Sequence, residues 1–119
     1  MIDMTSVLTS TKKLLGIDPS FLAFDEELIV HINSAFSTLT QLGVGPIDGF
    51  SIEDETSKWN FFINDTRLSS VRSYVYYKVR LAFDPPATSY AISALEKMAS
   101  ELEWRLNVQV ETGALNGQN

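Results

Sequence analysis

Few side chains in this sequence could carry chemistry, and they do not cluster. His31 is the only histidine, and there is no cysteine. A metal site needs several convergent ligands, and a nucleophilic triad needs a base beside its nucleophile. A lone histidine beside an apolar helical stripe therefore reads as a structural or boundary residue. Glu53, Asp54 and Glu55 are consecutive, so their carboxylates splay apart, and they miss the alternating ligand positions of a calcium loop. They read as a solvated acidic turn. Gly43, Gly45 and Gly49 are spaced loosely like a phosphate-binding loop. Such a loop leaves a strand and opens a helix, whereas this run closes a helix and contains Pro46. No catalytic, cofactor-binding or metal-binding residue is expected.

The composition narrows the remaining classes. At 119 residues and 45% hydrophobic, the chain suits one globular domain with a single core. The net charge is −6 with scattered lysines and arginines, the reverse of the clustered cations that hold duplex nucleic acid. No stretch approaches the roughly 18 apolar residues of a membrane span. The opening "MIDMTSVLTSTKK" lacks a basic region followed by an apolar run, so no signal peptide is expected. Without one, the glycosylation-type triplet Asn64-Asp65-Thr66 is idle.

Periodicity predicts a small all-α bundle of four to five helices. A short first helix covers "VLTSTKKLLG" after Thr5-Ser6, with Gly16 as its stop and Lys12 and Lys13 at the negative end of its dipole. The second begins at Asp25, read as its cap, and buries Leu28, Ile32, Ala35, Phe36, Leu39 and Leu42. "GFSI", near residues 50–53, reads as a short strand or extended edge. "TSKWNFFI" reads as one or two helical turns capped by Thr56 or Ser57. A long helix from Arg67 or Leu68 ends at Phe83, because Asp84 precedes proline. The last helix starts at Thr88 or Ser89 and runs to about Leu106 on a stripe of Ile92, Leu95, Ala99, Leu102 and Leu106. In the tail Val108 and Val110 alternate with Gln109 and Glu111, a strand-like period. Residues 1–107 thus form one helical domain, and 108–119 an extended or flexible arm.

The stretch "YVYYKVRLAFDPPATSY" places four aromatics before a double proline and one after it. Leu68, Val71, Val75, Val79 and Ala82 form one stripe, and Tyr74, Tyr77 and Leu81 a second. A helix apolar on so many sides is either the centre of a core or faces another chain. Arg72, Tyr76, Lys78 and Arg80 are the residues of this helix expected at a subunit interface, where Tyr and Arg are favoured.

The order "STKKLLGID", "DEELIVHINSAFSTLTQLGVGP", "YVYYKVRLAFDPP", "ALEKMASELEWRLNVQ" resembles the small head-tail connector, or head-completion adaptor, proteins of long-tailed bacteriophages. The resemblance covers roughly residues 5–110, in layout and local pattern with no catalytic motif. It implies a virion neck protein made in the host cytoplasm. There it assembles as a homo-oligomer, a dodecameric ring under the portal protein, and presents a docking surface to the next head-completion or tail protein. DNA passes the lumen of such a ring without specific binding, and no membrane is involved. Adaptors of this type reach a neighbour with a terminal arm, here Val108, Gln109, Val110, Glu111 and Thr112, which could add a strand to the portal. The residues alone also admit a small cytoplasmic helical regulatory or partner-binding protein, monomeric or dimeric.

The inward placement of Val71, Val75 and Val79 is testable by stability. Val75→Ala should cost on the order of 1–3 kcal/mol in urea unfolding, through lost burial and a cavity. A change under about 0.5 kcal/mol would put the stripe on the wrong face of its helix.

Overall fold

The structure, a computed structural model, describes residues 5–115. Four α-helices follow one another: α1 Val7–Leu14, α2 Asp25–Gln41, α3 Leu68–Phe83 and α4 Ser89–Leu115, with one 3-10 turn, Trp59–Phe61, between α2 and α3. The all-α bundle expected from periodicity is the observed architecture. α3 packs against both α2 and α4, and α1 packs on α2.

Local chemistry accounts for the helix ends. Ser6 caps α1 by accepting from the Thr9 amide at 3.2 Å. α1 and α2 close in the same way. Gly16 and Gly43 adopt φ of 81° and 85°, and the following amides, of Ile17 and Val44, reach back to Lys12 and Leu39 carbonyls, each at 2.9 Å. This is the glycine-dependent stop that satisfies otherwise orphaned carbonyls. Thr88 caps α4 through its hydroxyl, which accepts from the Ala91 amide at 3.1 Å.

Asp25 departs from the expected role. It is the first residue of α2 and makes no cap; Phe24 holds the cap position without a side-chain bond. The Asp25 carboxylate is instead engaged by Lys12, whose side chain is only 2% exposed. The Lys12 ammonium donates to Asp25 Oδ1 at 2.8 Å, to the Phe21 carbonyl at 2.7 Å and to the Pro19 carbonyl at 3.0 Å. An ammonium has three donors, and all three are used. The connector between α1 and α2 is thereby folded back onto the first helix.

Val71, Val75 and Val79 are fully buried in one core with Leu28, Ile32, Phe36, Ala99 and Leu106. Leu102 packs against that core, while Leu95 is only half-buried. The long connector from α2 to α3 closes the other side. Trp59 donates its indole N–H to Ser10 Oγ at 2.8 Å, and Phe36, Phe50 and Phe62 form an aromatic cluster beside it, edge-on between Phe36 and Phe50 and tilted at Phe62. Gly45, at φ 84°, sits where a Cβ would overlap the Phe62 ring.

Three further expectations need correction. The strand or edge near residues 50–53 is absent. The Ile52 amide donates to Asn33 Oδ1 at 2.7 Å, and its carbonyl accepts from Asn33 Nδ2 at 3.0 Å. One side-chain amide on α2 thus takes both groups a neighbouring strand would have used. Neither Thr56 nor Ser57 caps the 3-10 turn, because Lys58 holds that position with no side-chain bond. Thr56 turns back to Asp54, and the Ser57 carbonyl accepts from the Val7 amide at 3.0 Å.

The third correction concerns the arm. Residues 108–115 are helical, as part of α4. Leu102, Leu106 and Val110 stand four apart and extend the buried stripe, a longer signal than the brief alternation of Val108 and Val110. Val110 packs on the core, with its methyl carbon 3.1 Å from the place a Cβ would occupy at Gly43. In this structure the backbone groups of 108–115 are in a helix and not in the extended form that strand addition to a neighbour uses. Residues 116–119 of the expected arm lie outside the described residues.

Lys12→Met should lower stability by about 3 kcal/mol, because it strips the partner from a partly buried carboxylate and two carbonyls. Lys13→Met, at an exposed neighbour, should change it by less than about 0.5 kcal/mol. Equal effects in parallel urea titrations would mean that the buried ammonium does not hold the connector.

Candidate functional site

No group of three or more His, Asp or Glu residues that could hold a metal ion occurs among the described residues. His31 is a quarter exposed, with Nε2 3.4 Å from Glu27 Oε2 one helical turn earlier. It borders a shallow groove where α2, α3 and α4 meet, together with Lys78, Glu96 and Glu103. Lys78 lies on α3 and both glutamates on α4, with no nucleophile paired to a base among them. Glu53, Asp54 and Glu55 are exposed as expected. Within them Asp54 is held below the usual carboxylate range, first by the Thr56 hydroxyl and then by the Thr56 amide. The glycine run is a helix stop and a close approach to Phe62, with nothing to cradle a phosphate.

The structure therefore directs attention to surfaces. At about 100° per residue, Arg72, Tyr76 and Arg80 share one face of α3, while Lys78 lies roughly 160–240° away from them. The four candidate interface residues thus split. Lys78 belongs to the groove with His31. Arg72 places its guanidinium over the Trp59 ring, 5.3 Å from the centroid. That contact sets the first turns of α3 against the aromatic cluster. Arg80 donates to the Asp84 carbonyl and, at 3.3 Å, to the Tyr76 hydroxyl. It also lies 3.8 Å from the Asp84 carboxylate, so it ties down the proline-directed end of α3.

Around Arg72 and Tyr76 lies an apolar groove between α1 and α3, bordered also by Leu14, Leu68 and Tyr77. Tyr77 and Ser73 continue into a second depression with Met98, Leu102 and Arg105 of α4. Leu14 and Met98 are 56% and 41% exposed, so this surface offers apolar side chains beside tyrosines and arginines. Sequence reasoning named Arg72 and Tyr76 but missed Leu14, Met98 and Arg105. They come from α1 and α4, far from α3 in the sequence, and only the fold brings them beside it. Of the arm residues, Gln109 and Glu111 are exposed, while Val108 and Val110 are half-buried. Thr112 lies in the same helix, and its side chain is outside the described part.

Tyr74, on the opposite side of α3 from these grooves, is fully buried and donates to Glu103 Oε2 at 2.6 Å. Burial first, and then the Glu103 carboxylate, push its phenol well above the ordinary 10.0. The native state keeps the Tyr74 proton to a higher pH than the unfolded chain does. Its contribution is thus complete below pH 10 and is lost as pH rises beyond it. Tyr74→Phe should be destabilising at pH 8, by about 1–3 kcal/mol for a lost bond to a charged group. That deficit should shrink by about 1.4 kcal/mol at pH 11, since the variant has no phenol for the unfolded state to ionise. A deficit independent of pH in urea unfolding would contradict the assignment.

Neither the curated proteins nor the solved structures contain a significant match to this chain. A family model described as phage connector protein matches residues 7–113, which takes in α1 to all but the end of α4. Nothing in the geometry conflicts with that match: a rigid helical body whose notable surfaces are grooves suited to contact. The chain belongs to the phage connector protein family.

Proposed function

We propose that the chain is a structural adaptor of the virion neck that assembles as a closed, dodecameric ring beneath the portal protein. The ring extends the channel through which DNA passes and links the head to the next head-completion or tail protein. The observation that carries this reading is the family match over nearly the whole chain, joined to a surface of tyrosine, arginine, leucine and methionine on α1, α3 and α4. Of these, tyrosine, arginine and methionine are enriched at protein interfaces. With respect to DNA, the net charge of −6 suits a conduit that must not retain its cargo. Carboxylate repulsion is screened within about 8–10 Å at physiological salt and acts close to the wall.

Arg72 and Tyr76 are assigned to the contact between subunits. Arg80 follows on the same face of α3, whereas Lys78, on the far side with His31, is not part of this contact. Attachment to the portal is assigned to the outer face of the last turns of α4, where Gln109 and Glu111 are exposed. It proceeds by helix packing and not by strand addition. The rival reading, a small cytoplasmic regulator, would require a partner of a kind the family match does not suggest.

A phage carrying an early stop codon in this gene should yield DNA-filled heads and free tails that fail to join. Supplying the wild-type chain in trans should restore joined particles. Normal infectious particles from the stop mutant would overturn the adaptor role.

A further inference from the structure

The groove between α1 and α3 lies beside the point where the described part of the chain begins. The Thr5 carbonyl accepts from the Trp59 amide at 3.1 Å, and Ser6 pairs with Lys58 in an isolated antiparallel bridge. The residues that lead into α1 are therefore laid along 57–59. The Trp59 ring in turn lies under the Arg72 guanidinium, 5.3 Å from it. Trp59 thus meets Thr5 with its backbone and Arg72 with its ring. Arg72 borders the groove together with Leu14, Leu68, Ser69, Ser73 and Tyr76.

Four residues precede Thr5 in the sequence, Met1-Ile2-Asp3-Met4. Extended, they span at most about 13–14 Å, enough to run from Trp59 past Arg72 and along the groove. Their chemistry matches its lining. Three of the four are large and apolar, and the groove presents Leu14 at 56% exposure with half-buried Leu68 and Tyr76. The fourth is an acid, and Arg72 is the one charged residue among the described residues that border this groove. Carboxylate and guanidinium are matched in charge and in donor geometry. A segment joined to Thr5 is also held near the groove at an effective concentration that a free partner does not reach.

We infer that residues 1–4 lie along the groove between α1 and α3 of their own subunit, with Asp3 facing Arg72 and the apolar side chains covering Leu68 and Tyr76. The segment is a clasp: α1 packs on α2, and the clasp ties it to α3 as well. This contact is made within one chain and does not depend on the ring reading. In a ring, the neighbouring subunit meets Tyr76 beside a groove already filled at its Arg72 end.

The chain contains no cysteine, so thiols can be placed in chosen pairs. Ile2→Cys is combined with Ser69→Cys or with Ser73→Cys, two groove positions on either side of Arg72 in the sequence. As a control it is combined with Ser93→Cys in the first turns of α4, which follow the opposite end of α3. Each full-length protein is mildly oxidised at low concentration and read by non-reducing electrophoresis and intact mass. A disulfide closed within the monomer is expected with Ser69→Cys or Ser73→Cys, and none with Ser93→Cys. Adding Asp3→Lys should slow that closure roughly threefold to tenfold, as expected when an exposed ion pair turns repulsive. No closure at either groove position, or equal closure at Ser93→Cys, would overturn the proposal. Disulfide-linked dimers in place of closed monomers would put the segment in the groove of a second copy and overturn it equally. A closure rate unchanged by Asp3→Lys would overturn the pairing of Asp3 with Arg72. Because every readout is on the free chain, failure here leaves the ring reading standing.

Discussion

The ammonium of Lys12 is the constraint on which the arrangement of the first third of the chain depends. A buried lysine is tolerated only when charge and donors are both matched. Here one carboxylate and two carbonyls, drawn from Pro19, Phe21 and Asp25, match it completely. The connector cannot leave α1 without stranding that charge, so it is pinned alongside the helix. One consequence is that Asp25 is unavailable to cap α2. Another is that Leu22 is fixed on one side of α1 while Leu14 stands on the other. The placement of Leu22 and Leu14 on opposite sides of α1 is therefore set by one interaction.

α3 resolves the question raised by its aromatic sequence. Its valine stripe and Tyr74 are fully buried because α2 and α4 flank it. Arg72, Tyr76 and Tyr77 lie on its remaining side and stay half-exposed. Arg72 works in both directions, holding Trp59 beneath it and bordering the groove above. The long connector 42–58 is tied to the helices through Asn33 on Ile52, and the absence of a side chain at Gly45 lets it lie against Phe62.

Much of this was legible in the sequence, for reasons that differ by element. α2 and α3 were readable because a buried stripe at three-four spacing runs their full length between strong stops, Gly43 and Pro85. The first helix was readable from Ser6 and Gly16. What escaped were side-chain contacts between segments distant along the chain. Asn33 replaces the strand partner of Ile52 from 19 residues away, and no local period announces it. Lys12 reads as a surface dipole partner until the connector is seen folded over it. The tail was misjudged because Val108 and Val110 alternate over too few residues to outweigh the Leu102, Leu106, Val110 spacing. Of the interface residues, those on α3 were accessible to composition arguments. Leu14, Met98 and Arg105 became candidates only once three helices were brought together. The family itself was legible from the order of its landmarks.

The most direct measurement of the central claim is an electron cryo-microscopy reconstruction of the particle neck, resolved well enough to trace this chain. The account predicts a closed ring of identical subunits beneath the portal, each helical through residue 115. The face of α3 that carries Arg72 and Tyr76 should lie against a neighbouring subunit. A neck in which this chain is missing, or is present as isolated copies without mutual contact, would contradict it.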